Sequence, residues 1–336
     1  MQKLLSFIAV HKKVFISPLL LIAVVFPFVV SDRYVLRLGT LCLMYIMLTL
    51  GLNLLHGFMG QMSFGQAAFW GIGAYTAAIL IDRFGRPTLP AMLGAIIVAG
   101  VFGFLVSLPS LKLKGFYLSI VTMGFCEIIR LVELNWTSLT GGPLGMMNIP
   151  SFTFFGKQFK SYRDIYLIAL VLVLLITIVV KNLVSSSYGR AIKAIRDDDE
   201  VAEVMGIDIV NTKRLTFVIS AMIAGLAGAF YAQYMTFIHP SIFTTAASQE
   251  IIVMIIFGGL GSIPGTYLGT IVLTLLPELL RGLMQYRMLI YGVLMVVLMI
   301  AKPDGLLGNF NFDVMRAKAI EKRSSPNATG DKVKKA

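Results

Sequence analysis

The chain has 336 residues, of which 57% are hydrophobic and only 14% are charged. Soluble domains carry about 25% charged residues, so water-soluble enzymes, disordered chains and disulfide-stapled domains are excluded. The net charge of +12 would suggest nucleic acid in a soluble chain. Here, however, the basic residues flank apolar blocks, where membrane orientation explains them.

A bilayer crossing needs about 20 mostly apolar residues. Blocks at 14–30, 36–56, 66–81, 90–111, 115–131, 165–181, 214–237, 248–265, 266–281 and 286–301 give ten candidate spans. The expected fold is therefore all-α, a polytopic membrane protein of about ten transmembrane helices filling residues 1–301. The first block follows Lys3, Lys12 and Lys13, as in a signal peptide. No small-x-small cleavage site follows it, so it reads as a retained span. Cys42 and Cys126 lie inside apolar blocks and read as packing residues, and His11, His56 and His239 are too scattered to ligate a metal.

Placing the N-terminus inside puts 1–13, 57–65, 112–114, 182–213 and the tail after 301 in the cytoplasm. Counting boundary residues 181 and 214, these segments hold 19 of the 29 Lys and Arg residues, as the positive-inside rule requires. The Gly-, Pro- and aromatic-rich loop 132–164 is then outside. The tail 302–336 is basic and cytoplasmic, and its composition predicts disorder near an anionic leaflet.

Within the spans, Glu127 has Arg130 three residues on. An acid at bilayer depth costs roughly 2.5–3.5 kcal/mol on insertion scales, so Glu127 must face protein or water. An ion pair at the outer interface is one reading; a place on a translocation pathway, with Tyr117 of the same span, is the other. Ala221, Gly225 and Ala229, with Ala224 and Gly228, form small-residue stripes that let helix backbones approach closely. Gly258, Gly259 and Gly261 precede Pro264, which predicts a broken or re-entrant helix near Gly258–Gly265. Broken helices often line substrate pathways, although tight bundle packing explains the glycines equally well.

The most informative polar stretch is 182–213. Asp197 is a candidate N-cap with Glu200 three residues on. Val201, Val204 and Met205 then make one apolar stripe, and Gly206 supplies a C-terminal stop. Ala202 is expected at a close contact. Such a helix could dock into a groove on a soluble partner, or simply be a capped surface helix. Gly156-Lys157 lacks the upstream glycine of a phosphate-binding loop, so any ATP must be hydrolysed by another chain, and nothing calls for a cofactor.

Six pieces of sequence, in order, resemble the branched-chain amino acid permease family of ABC importers, LivM type. They are Ser63-Phe64-Gly65-Gln66-Ala67-Ala68-Phe69 with Gly71-Ile72-Gly73-Ala74-Tyr75; Leu113 to Thr122 with Glu127; Thr140-Gly141-Gly142-Pro143-Leu144-Gly145; Tyr188-Gly189-Arg190-Ala191 through Glu200 to Gly206; Lys213 with Ser220 to Gly228; and Gly258-Gly259-Leu260-Gly261-Ser262. One departure is that Arg196 is followed by Asp197-Asp198-Asp199. The resemblance implies that Asp197–Gly206 couples the permease to its ATPase. It further implies a LivH-type second permease subunit, two ABC ATPase subunits, a periplasmic binding protein and a bacterial inner membrane, which makes the outer loop 132–164 periplasmic. Leucine, isoleucine, valine or another small amino acid would be the substrate. A urea or short-amide importer is the near alternative. A secondary transporter or channel is the distant one, since it would need no docking helix and would place more ionisable groups at mid-membrane.

Overall fold

The helices outrun their apolar blocks, because a helix need not stop where lipid does. The computed structural model describes residues 23–30, 32–110, 115–154 and 157–279, with scattered positions from 286 to 307. Much of the expected spans at 14–30 and 286–301, and most of the tail, lie outside the described residues.

Helix α1 (Arg33–Asn53) starts where the Asp32 side chain accepts the Tyr34 N–H at 2.9 Å. Instead of ending, it widens into a π turn over Leu54–Phe58. Then come α2 (Gln66–Asp82), α3 (Thr88–Ser110) and α4 (Phe116–Asn135). On the far side of the 136–161 loop lie α5 (Tyr162–Ser185), α6 (Ser187–Asp197), α7 (Asp199–Val204) and α8 (Ile209–Met235). The described fold closes with α9 (Thr245–Gly258) and α10 (Ile263–Leu279). Among the described residues, five segments are long and apolar enough to cross a membrane: α1 with its π turn, α3, α5, α8 and Pro240–Gly258.

The core is built around α8, which packs chiefly against α2 and α3. Its small-residue stripes account for that position. A Cβ added at Gly228 would lie 2.1 Å from the Trp70 carbonyl oxygen, and one at Gly73 would lie 2.2 Å from that of Gly225. Backbones this close gain dispersion contacts along their whole crossing, which is the available drive where lipid is as apolar as the side chains. Aromatic rings fill the space above: Trp70 meets Phe243 edge-on at 5.0 Å and Tyr231 at 4.9 Å.

The expected break falls between Gly258 and Ile263, so the blocks 248–265 and 266–281 are redivided there. Pro264 does not interrupt a ladder; it sits in the first turn of α10, where its missing N–H is unused anyway. A Cβ at Gly258 would lie 2.0 Å from the Gly265 carbonyl oxygen, and one at Gly269 would lie 2.3 Å from that of Met254. The two helices thus form a hairpin in backbone contact. The Phe257 and Gly258 carbonyls accept the Leu306 and Leu307 N–H groups at 3.0 and 2.9 Å, satisfying groups a helix end otherwise leaves free.

The 136–161 loop is ordered by pairing. Met146 bridges Ile238, the Ile149 N–H reaches the Thr236 carbonyl at 3.0 Å, and two-residue strands Thr153–Phe154 and Lys157–Gln158 form a small hairpin. The loop is pinned to the bundle where Thr88 Oγ1 donates to Gln233 Oε1 at 2.7 Å and accepts the Thr153 N–H at 2.8 Å.

Candidate functional site

The polar stretch between α5 and α8 holds two helices rather than the single one expected. In α6 the Ser186 side chain accepts the Gly189 N–H, and Ile192 and Ile195 are buried against the bundle. Tyr188 fastens α6 to α8: its hydroxyl lies 2.8 Å from the Thr212 carbonyl and 2.9 Å from Thr216 Oγ1.

The N-cap of α7 is Asp198, not Asp197. Asp198 Oδ1 accepts the Glu200 and Val201 N–H groups at 2.8 and 3.1 Å, whereas Asp197 is the last residue of α6. Three consecutive acids offered equivalent caps, and the end of α6 selects among them. Glu200 lies in the first turn of α7, with Asp199, where a carboxylate favours the helix dipole. Asp199 also pairs at 2.7 Å with Lys213 of α8, whose side chain is 5% exposed; losing Asp199 would strand the buried lysine charge. At the other end, the Ile207 N–H reaches the Ala202 carbonyl and the Gly206 N–H that of Glu203. With Gly206 at φ +82°, this is a Schellman stop. Beyond it, the Asn211 backbone and side-chain N–H groups hold the Asp208 carboxyl below the usual carboxylate range.

The six-residue helix is therefore fixed at both ends, and its faces differ. Ala202 is 2% exposed, packed inside this chain, so the close contact expected there is intramolecular. Val201, Val204 and Met205 are exposed, Val204 at 88% and Met205 at 77%. An exposed apolar tip on a helix fixed at both ends is the kind of surface that marks an interaction site.

The other candidates fall elsewhere. Glu127 and Arg130 pair, Arg130 Nε donating to both carboxylate oxygens at 3.0 Å. They lie on the outward face of α4 with exposed Phe116, Tyr117, Ile120 and Ile128. Gly258, Gly259 and Gly261 lie together at the α9–α10 turn, and Gly261 N–H donates to Asn53 Oδ1 at 3.0 Å.

Sequence reasoning missed Glu133. It is 4% exposed, and neither carboxylate oxygen has a hydrogen-bond partner among the described residues. A Cβ at Gly71 would lie 2.5 Å from its Oε1 and 3.0 Å from Phe243. The signal was present: Leu118, Thr122, Cys126, Ile129 and Glu133 follow the helical period on the buried face of α4.

Fold and site together define the class: an all-α, multi-pass membrane protein with a short capped helix outside the bundle. Residues 34–301 match the family described as "Branched-chain amino acid transport system / permease component", and the chain belongs to this family, LivM type. It is 38% identical over 321 residues to the high-affinity branched-chain amino acid transport system permease protein LivM of Salmonella typhimurium and to that of Escherichia coli, covering 89% of this chain and 75% of each relative. It is also 25% identical over 288 residues to LivH of Salmonella typhimurium, covering 79% of this chain and 91% of that protein. No solved structure gives a significant match.

Proposed function

We propose that this chain is the membrane-spanning permease subunit of an ATP-driven importer for branched-chain amino acids. The observation that carries the reading is α7: a doubly capped helix between two long spans, presenting Val201, Val204 and Met205 to a soluble partner. In a chain without a phosphate-binding loop, that partner is the ABC ATPase, and Asp197–Gly206 is the segment that receives its motion. Similarity to both LivM and LivH relatives supports pairing with a second permease subunit of related fold, and two ATPase subunits and a periplasmic binding protein complete the assembly. The protein lies in a bacterial inner membrane with ten spans, both termini cytoplasmic, 182–213 inside and 132–164 outside.

The pathway runs along the outward face of α4. An ion pair on an otherwise apolar exposed helix is poorly solvated by lipid, so Glu127 and Arg130, with Tyr117, face the second subunit and the water between them. The Gly258–Gly261 turn shapes the cytoplasmic end of this route.

The test is uptake by proteoliposomes holding this chain, its companion permease and the ATPases, with binding protein outside. Leucine, isoleucine or valine should accumulate only with internal ATP, and this chain alone should hydrolyse none. Uptake of urea or short amides instead would favour the neighbouring branch, and uptake driven by an ion gradient without ATPases would refute the reading.

A further inference from the structure

The C-terminal turn of α6 touches the membrane helices through one side chain. Arg196 lies at the surface, two residues before the Asp198 cap of α7, and its Nη1 donates to the Gly57 carbonyl oxygen at 2.5 Å. Gly57 belongs to the π turn of α1, a feature found often at functional sites. Lys193, one turn earlier, places its Nζ 5.9 Å from the centre of the Phe58 ring in the same turn.

Glycines approach the exposed arginine closely on two sides. A Cβ at Gly60 would lie 3.0 Å from Arg196 Cγ, one at Gly261 would lie 2.9 Å from Nη1, and one at Gly57 would lie 2.3 Å from the Gly261 N. The π turn therefore touches the α9–α10 turn directly, with the guanidinium wedged against both. Asn53 ties that junction to α10: Oδ1 accepts the Gly261 N–H at 3.0 Å, and Nδ2 donates to Thr266 Oγ1 at 2.8 Å.

We propose that Arg196 is a positioning residue that transmits movement of the α6–α7 unit to the π turn of α1 and the α9–α10 hairpin. The proposal rests on the permease reading above. Coupling needs a physical link between elements that move, and Arg196 provides one: a planar, permanently charged group that locks to a carbonyl while its stem lies against Gly60. A plainer role exists, since a basic residue in the last turn of α6 also favours that helix's dipole. That role would affect local stability and would leave the ratio of transport to hydrolysis unchanged.

The experiment uses the full assembly in proteoliposomes with R196M, which keeps an apolar stem and removes the donor, and R196K, which restores one. Membrane level, ATPase co-purification, ATP hydrolysis and leucine uptake are measured together. R196M should keep its ATPases and hydrolyse ATP while leucine moved per ATP falls about tenfold, within the range typical of coupling between sites; R196K should recover part of it. R196Q, which keeps a polar end but shortens the reach to the Gly57 carbonyl, should reproduce the loss. An unchanged ratio in R196M overturns the proposal, and so does loss of ATPase co-purification, which would make Arg196 part of the docking surface. If R196M fails to reach the membrane, R196K and R196Q carry the same test. Failure of the wild-type assembly to transport leucine would instead remove the permease reading itself.

Discussion

Gly206→Val isolates the stop of α7 from everything around it. A Cβ at Gly206 meets nothing within 4 Å, so the substitution adds no clash and its cost is confined to the backbone. At φ +82° an L-residue bears about 1–2 kcal/mol of left-handed strain, and a β-branched one is a true outlier. To relieve it, the chain must give up the two hydrogen bonds that close the turn, from Ile207 to Ala202 and from Gly206 to Glu203. With only six residues, α7 has no spare turn to lose. A cost of about 1.4–2.8 kcal/mol on the docking-competent form lowers ATPase affinity about 10–100-fold. Binding of purified ATPase to the permease in nanodiscs, measured by titration, reads this directly, and thermal unfolding of the bundle should be unchanged. G206N should sit near wild type, because Asn tolerates the left-handed region. Wild-type affinity for G206V, or an equal loss for G206N, would show that the closed turn does not present the docking face.

Three further outcomes are expected. D198A should weaken ATPase co-purification by the equivalent of about 0.5–2 kcal/mol, while D197A, outside the cap, should leave it nearly unchanged. G228A must push α8 away from α2 at the Trp70 carbonyl, costing about 1–3 kcal/mol as overpacking; a lower Tm in detergent is the readout, and an unchanged one would contradict the crossing. In a cysteine-free background, a membrane-impermeant maleimide applied to whole cells should label S151C, and should label D208C only after permeabilisation; the reverse pattern would invert the proposed topology.

What the sequence disclosed depended on whether the information was local. The Val201, Val204 and Met205 stripe and the Gly206 stop are set by helical period and a single backbone requirement, and both are legible. The cap position was not, since Asp197, Asp198 and Asp199 are chemically alike and the choice depends on where α6 ends. α6 itself was hidden because its buried Ile192 and Ile195 sit among Arg190, Lys193 and Arg196, and the stretch reads as charge. Glu133 was passed over because the apolar block stops two residues before it, although its helix and buried face continue. The Arg196–Gly57 bond joins positions 139 residues apart, and no window along the chain contains it. Pro264 misled in the opposite sense, since a proline can start a helix as well as break one.

The α9–α10 hairpin has a consequence for how this bundle can move. Its two arms touch through peptide groups at Gly258, Gly265 and Gly269 as well as through the side chains of Met254, Phe257 and Leu273. Sliding one arm along the other would drive the Gly265 and Met254 carbonyls into the opposing backbone, so relative slippage is sterically barred. A hairpin locked in this way is displaced as one unit, connected to the bundle by the 236–244 segment leading into it and by the Asn53 bonds beside its bend.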